Sequence, residues 1–269
     1  MEGIKGKNVL VTGATSGIGQ AIAAYFVTQG ASVALNYRND PSKLDETKQL
    51  ISQMCADAEG CGGKTIAVEA DMSEESDIVR MCKETIDGLG SIDILINNAG
   101  IQTNAPSHEL STADFDKVIN VNLRGAYLCA REVIKHFIEA GNKGTVINVS
   151  SVHEIIPRPQ YVSYSMSKGA MENMTKTLAL EYAPQGIRVN AIAPGATATP
   201  INSWAEDEEK RKEVEAHIPM GRAGTAEEMA VVTAFLASDA ASYVTGQTIF
   251  IDGGLTLYPD FLHPWSAGE

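Results

Sequence analysis

Long apolar runs are missing from this 269-residue chain. Nothing approaches the roughly 20 consecutive apolar residues that a membrane-spanning helix needs, so none is expected. The amino-terminal apolar run Val9-Leu10-Val11 is far too short for the core of a secretion signal. Cysteine is scarce: Cys55, Cys61, Cys82 and Cys129 are the four. They form no C-x-x-C pair and no cluster with histidine, which argues against a zinc site, and no metal is expected. Four in a chain this long are not a disulfide framework, so reduced thiols and a cytoplasmic location are expected. Positive charge is in short supply too. The 21 Lys and Arg are outnumbered by 34 Asp and Glu, giving a net charge of −13 and a pI near 4.8. Such a surface repels a phosphate backbone and makes nucleic acid an unsuitable partner.

What is present is alternation. Short β-branched runs at 7–13, 31–37, 65–70, 92–98, 144–150, 187–193 and 247–252 read as buried strands. Helical patterns separate them: 19–30, a polar stretch beginning at Asp45, then 74–87, 112–140, 164–183 and 226–238. Seven strands alternating with helices predict an α/β fold, a doubly wound Rossmann-type parallel sheet flanked by helices. No proline-rich or low-complexity linker interrupts the chain, so 1–269 reads as a single domain. The charged segment 203–215 reads as a solvated helix that also serves as a mobile lid. The tail at 255–269, with Phe261, His263 and Trp265, is expected to pack on the active-site rim or on a neighbouring subunit.

Gly13, Gly17 and Gly19 fall directly after the first strand and before the first helix. In that context glycines let the backbone turn sharply and approach a pyrophosphate, with the helix N-terminus facing the negative charge. The end of the second strand selects the cofactor. A carboxylate there would accept from a ribose 2′-hydroxyl and repel a 2′-phosphate. Here Tyr37 stands in that position and Arg38 follows, which favours NADP; Asp40 keeps NAD open, and use of both is expected.

Tyr164 and Lys168 are four residues apart, with Ser151 upstream. Oxidising an alcohol means removing a hydride from carbon and a proton from oxygen. A free phenol is almost wholly protonated at pH 7. A positive charge about 4 Å away, at an effective dielectric near 20, contributes about 4 kcal/mol, or roughly three pKa units. The i,i+4 spacing puts Lys168 on the same helix face to supply it. Tyr161 has no such partner, because Ser165 follows it at that spacing. Ser151 would hydrogen-bond the substrate oxygen.

The motifs TGATSGIG, NNAG at 97–100, N-x-x-G at 122–125, Ser151, Y-x-x-x-K at 164–168 and PGATAT at 194–199 together resemble the short-chain dehydrogenase/reductases. Within them, SSVHEIIPRP, PGATATPIN and IPMGR look like the glucose 1-dehydrogenase branch. The resemblance implies an oxidoreductase with Asn122, Ser151, Tyr164 and Lys168 as its catalytic group, Asn122 holding a water that passes the proton on. It assigns the cofactor to Gly13, Thr15, Ser16, Gly17, Ile18 and Gly19 at the turn, Tyr37 and Arg38 after the second strand, and Asp71 and Met72 beside the adenine. Asn98, Ala99 and Gly100 then follow the ribose, where Lys168 also holds, and Pro194, Gly195, Thr197 and Thr199 lie near the nicotinamide and pyrophosphate. The implied reaction moves a hydride from the C1 hydroxyl of an aldose, D-glucose first, to NADP or NAD and gives a lactone. Reduction of a 3-oxoacyl thioester or another carbonyl is the alternative, with Arg124, Lys135 and Arg158 as candidates for a carrier-binding patch. Ser151, His153, Gln102 and Asn202 are the candidate substrate residues; in the branch Gln102 is ordinarily glutamate. A homotetramer is implied as well, packed through 112–140 and 164–183; their apolar residues (Val118, Val121, Leu128, Val133 and Met171, Met174, Leu178, Leu180) fit such an interface or an ordinary core face equally.

Overall fold

The computed structural model describes residues 1–56 and 61–257. Seven strands form one parallel sheet: β1 (Asn8–Val11), β2 (Ser32–Tyr37), β3 (Thr65–Glu69), β4 (Ile94–Asn97), β5 (Gly144–Val149), β6 (Ile187–Pro194) and β7 (Thr248–Ile251). Their order is β3-β2-β1-β4-β5-β6-β7. β1 therefore pairs with β2 on one side (Val9 opposite Val33) and with β4 on the other (Val9 opposite Ile94). The winding reverses there, and a crevice opens beyond the strand ends.

The strands are apolar on both faces because both are covered. Side chains alternate, so Val9 and Val11 join one core while Leu10 enters the other. The first core packs α1 (Gly17–Thr28), α2 (Pro41–Ala56) and α8 (Ala226–Ala237), with Phe26 and Ile22 at its centre. The second packs α3 (Glu75–Leu89) and α5 (Ala126–Ala140), with Met81 and Phe137 fully buried. α6 (Val162–Tyr182) runs beside β6 and carries Tyr164 and Lys168.

Two expectations need correction, and one left open is decided. The segment read as one helix over 112–140 is α4 (Thr112–Ile119), a π-helical turn (Asn120–Gly125), then α5. The turn forms because Asn122 is pulled into the wall: its Oδ1 accepts from Ile101 N–H at 2.8 Å, and its Nδ2 donates to Ile101 O at 2.9 Å and Ser167 Oγ at 3.2 Å. Second, Cys55 and Cys61 are joined as a disulfide, although reduced thiols were expected. Their separation matches no redox motif, but their Cα atoms lie 5.4 Å apart, within bridging range. Cys82 and Cys129 are free and buried; the hydrogen bond that the Cys129 thiol donates to Cys82, together with burial, pushes the Cys129 pKa well up. Third, of the interface and core readings left open for these helices, Val118, Val121, Leu128, Val133 and Met171 take the core one, being buried within the chain, whereas Leu180 is 83% exposed.

The charged 203–215 segment is a short 3-10 turn (Ser203–Glu206) followed by α7 (Glu208–Glu215), which Asp207 caps by accepting from Lys210 N–H at 3.2 Å. Phe261, His263 and Trp265 lie outside the described residues. Among the described residues no helix is long and apolar enough to cross a membrane.

Candidate active site

The crevice at the switch point is a cavity of about 900 Å³. Its floor is the glycine turn. Gly13 and Gly17 take φ of +63° and +53°, a region that L side chains rarely adopt. Two asparagines hold the turn. Asn36 Oδ1 accepts from Gly13 N–H at 3.0 Å, and Asn98 Nδ2 donates to the carbonyls of Thr12 (2.9 Å) and Gly13 (3.0 Å). Asn36 was not anticipated; its one signal is a polar residue inside an otherwise apolar strand. Gly19 does not line the cavity, although it was assigned there. A Cβ on it would run into Asn98 Nδ2 and the Gly13 carbonyl, so its small size serves packing. Ser16 precedes α1 without capping it through its side chain, which leaves the first-turn amides of the helix for an anion. A Cβ on Gly13 would come within 3.0 Å of Ala99 Cα, and one on Gly17 within 3.3 Å of Thr199 Cβ. The open floor and free helix terminus fit a dinucleotide pyrophosphate.

Thr15, Ser16 and Ile18 line the turn; Tyr37, Arg38, Asp71 and Met72 line one end of the cavity; Asn98, Ala99 and Gly100 line its middle. Arg38 is exposed. Asp40 does not line the cavity. Its carboxylate accepts from Ser42 N–H at 3.1 Å, Ser42 Oγ at 2.5 Å and Lys43 N–H at 3.4 Å, at the start of α2. Asp71 accepts from Ser73 N–H and Oγ at 2.8 and 2.7 Å. Pro194, Gly195, Thr197 and Thr199 close the opposite wall.

Ser151, Tyr164 and Lys168 meet in the same cavity. Ser151 ends the loop after β5 and starts a 3-10 turn (Val152–Glu154), its hydroxyl accepting from His153 N–H at 3.2 Å. Tyr164 and Lys168 are one turn apart on α6. Lys168 is buried, donates to Val149 O at 2.8 Å, and has its Nζ 5.6 Å from the Tyr164 ring centroid. Burial lowers its pKa to about 8, with the Glu154 charge pulling the other way. Burial also raises the Tyr164 phenol; Ser151 and the Arg158 charge oppose that rise. Ser151 and the Arg158 charge thus act on the phenol in the direction that the spacing assigns to Lys168. Asn122 is behind the wall, its amide committed to Ile101 and Ser167.

Of the candidate substrate residues, His153, Gln102 and Asn202 all line the cavity. Gln102 Nε2 donates to Ile201 O at 3.2 Å, and Asn202 Nδ2 donates to Thr197 O at 2.9 Å, so both amides tie down the loop before α7. His153 Nδ1 lies 3.1 Å from Ile156 O, and its ring packs edge-on to Tyr164 with centroids 6.2 Å apart. Burial first, then the Arg158 charge, holds the His153 pKa below its usual range, favouring a neutral ring. Sequence reasoning missed Ile156, Trp204, Val214, His217 and Leu255 as lining residues.

The chain is similar to known proteins along nearly its whole length. A family model described as enoyl-(acyl carrier protein) reductase matches residues 13–256. The chain is 49% identical over 263 residues to a glucose 1-dehydrogenase of Gluconobacter oxydans, covering 97% of this chain and 96% of that one. It is 46% identical over 259 residues to 3beta-hydroxysteroid dehydrogenase 1 of Eggerthella lenta, covering 96% and 97%. A protein of Agrobacterium tumefaciens provisionally identified as a 2-deoxy-D-gluconate 3-dehydrogenase, solved with bound NADP, superposes with a TM-score of 0.84 at 35% identity, covering 95% and 98%. A parallel sheet in this order, a glycine turn at its switch point, and a serine, tyrosine and lysine meeting above it agree with matches spanning nearly the full length: the chain belongs to the short-chain dehydrogenase/reductase family.

Proposed function

We propose that the protein oxidises the C1 hydroxyl of an aldose, D-glucose first, to the lactone. The observation that carries this is the convergence of Ser151, Tyr164 and Lys168 in one cavity with the glycine turn, under a wall rich in hydrogen-bonding side chains. A bound nicotinamide supplies the acceptor for the hydride. The chain does the rest. As the C1–H electron pair leaves, Tyr164 takes the hydroxyl proton and the C=O forms. Ser151 donates to the oxygen, where charge develops. Lys168 holds positive charge beneath the site and contributes a ribose contact, and Asn122 braces the segment that carries Ile101. His153, Gln102 and Asn202 border the sugar. A polyol leaves fewer of these polar groups unpaired than an apolar steroid does, and each unpaired buried one costs about 1–3 kcal/mol.

NADP is the favoured cofactor and NAD the second. Support comes from Arg38 on the lining, from Asp40 being occupied at the start of α2, and from the NADP-bound Agrobacterium protein. The carrier-thioester alternative draws support from the family description, but two of its three candidate cations are already paired: Arg124 with Glu75 at 2.9 Å and Lys135 with Glu139 at 3.9 Å.

Initial rates at 340 nm with D-glucose, D-galactose, D-xylose and ribitol, with NAD and NADP separately, test this reading. Aldose turnover, faster with NADP, is expected. Reduction of 3-oxoacyl thioesters without aldose turnover would overturn it.

A further inference from the structure

Arg158 stands out on the substrate side of the cavity. It lines the cavity, yet among the described residues it enters no ion pair. Among the described residues the one carboxylate lining the cavity is Asp71, which follows β3. The other polar lining residues include His153, His217, Gln102 and Asn202, none of them an acid. In a chain of net charge −13, a cavity with a single lining carboxylate and an unpaired guanidinium is a local reversal of sign.

The backbone fixes that guanidinium in place. Arg158-Pro159-Gln160-Tyr161 form a tight turn, with Tyr161 N–H donating to Arg158 O at 3.3 Å. Proline occupies the second position, and Gln160 the third with φ of +69°, where glycine is the usual residue. Gln160 is the one non-glycine residue with positive φ among those described. Its carbonyl is held by Ala105 N–H at 3.0 Å. Strain of this kind persists where surrounding contacts hold it, and it gathers at ligand sites. The turn sets Arg158 against the Tyr161 ring, with its guanidinium carbon 3.9 Å from the centroid. Stacking orients a planar guanidinium while leaving its N–H edge free for a carboxylate or phosphate. The Arg158 charge reaches the interior as well, since it acts on both His153 and Tyr164.

We propose that Arg158 selects the substrate, and that the site prefers sugars carrying an anionic group remote from the reacting hydroxyl, a carboxylate or a phosphate, over neutral sugars. This rests on the sugar reading above and sharpens it. The reaction is unchanged: the C1–H electron pair goes to the nicotinamide and the hydroxyl proton to Tyr164, while the anion stays intact in the Arg158 fork.

The test compares D-glucose, D-glucuronate and D-glucose 6-phosphate, which share the C1 hydroxyl and differ at C6. Initial rates are measured for the unaltered enzyme, Arg158→Gln and Arg158→Lys. The readout is the ratio of kcat/KM for each anionic sugar to that for glucose, which cancels any change common to both substrates. The unaltered enzyme is expected to favour at least one anionic sugar by roughly 10-fold or more, the scale of one charge-assisted hydrogen-bonded contact. Arg158→Gln should bring the ratio close to one, and Arg158→Lys should keep part of it. Raising the salt concentration should shrink the ratio in the unaltered enzyme. A preference for glucuronate alone assigns a carboxylate, and one for the phosphate alone assigns a phosphate. Glucose turned over as well as both anionic sugars, or a ratio that Arg158→Gln leaves unmoved, overturns the inference while the sugar reading stands. No turnover of any of the three, with thioester reduction instead, removes the sugar reading on which it rests.

Discussion

At the residue scale the chemistry depends on the Tyr164 phenol and the Lys168 ammonium. Burial raises the phenol and lowers the ammonium to about 8. The phenol must have lost its proton to accept one from a substrate hydroxyl. Burial holds it above its ordinary value, so kcat/KM for oxidation should still be rising with pH, toward about tenfold per unit, at pH 8 and beyond. Tyr164→Phe should lower kcat by roughly 10²–10⁴ and abolish that slope, while dinucleotide binding, read by fluorescence, persists. A slope that survives in Tyr164→Phe would remove the phenol from the mechanism. For stability the sign runs the other way from an ordinary ion pair. The lysine's folded pKa lies below its unfolded value, so the unfolded chain binds more protons between the two. Folding then strengthens as pH rises from about 8 toward the ordinary lysine value. The spacing of Tyr164 and Lys168 was legible in the sequence because a helix fixes which residues share a face. The Arg158 charge was not legible as part of the site, because a turn brings it there and no periodicity encodes that turn.

At the element scale, the fold was legible wherever apolar runs are bounded by glycine or polar residues, and illegible where tertiary contacts override a continuous pattern. The stretch 112–140 keeps a helical period throughout, yet it contains the π-helical turn Asn120–Gly125. Turns of this type occur often at functional sites. Here a buried asparagine and a glycine account for it. Asn122 satisfies both backbone groups of Ile101, and Gly125 lets the chain lie against the Met72 carbonyl, which a Cβ would strike. Met72 lines the cavity at the adenosine end, so the turn connects helix packing to the cofactor wall. Gly125→Ala should act as overpacking and cost about 1–3 kcal/mol. In a chain of this size that lowers Tm by roughly 2–10 °C. It should also raise the KM for dinucleotide more than it lowers kcat, because Met72 shifts while Tyr164 and Ser151 keep their supports. Differential scanning calorimetry with steady-state kinetics checks both. An unchanged Tm would mean that the backbone yields easily at this point and that the turn is not held by close packing.

For the whole molecule, the seven-strand count was legible, the Cys55–Cys61 bridge was not, and the apolar residues of α4–α5 left core and subunit packing equally open. A sequence pattern says that a face is apolar, not which neighbour covers it. The arrangement of the sheet gives a prediction at this scale. β1 pairs with β2 on one edge and β4 on the other, so both windings share that strand, and the cavity draws its lining from Gly13 through to Leu255. A dinucleotide across that crevice touches both halves and binds the folded chain alone. At about 100 times its Kd such a ligand adds about 2.7 kcal/mol. For a chain near this length that corresponds to roughly 5–10 °C in Tm. Calorimetry should then give one cooperative transition that moves as a unit when NADP is added. Arg38→Ala should reduce the shift from NADP and leave the shift from NAD nearly the same, because only the 2′-phosphate needs the guanidinium. Two separate transitions, or movement of only part of the heat absorption, would show that the two windings unfold independently and that the crevice joins two units. Equal loss for both dinucleotides in Arg38→Ala would mean that Arg38 supports the fold of the pocket and does not read the phosphate.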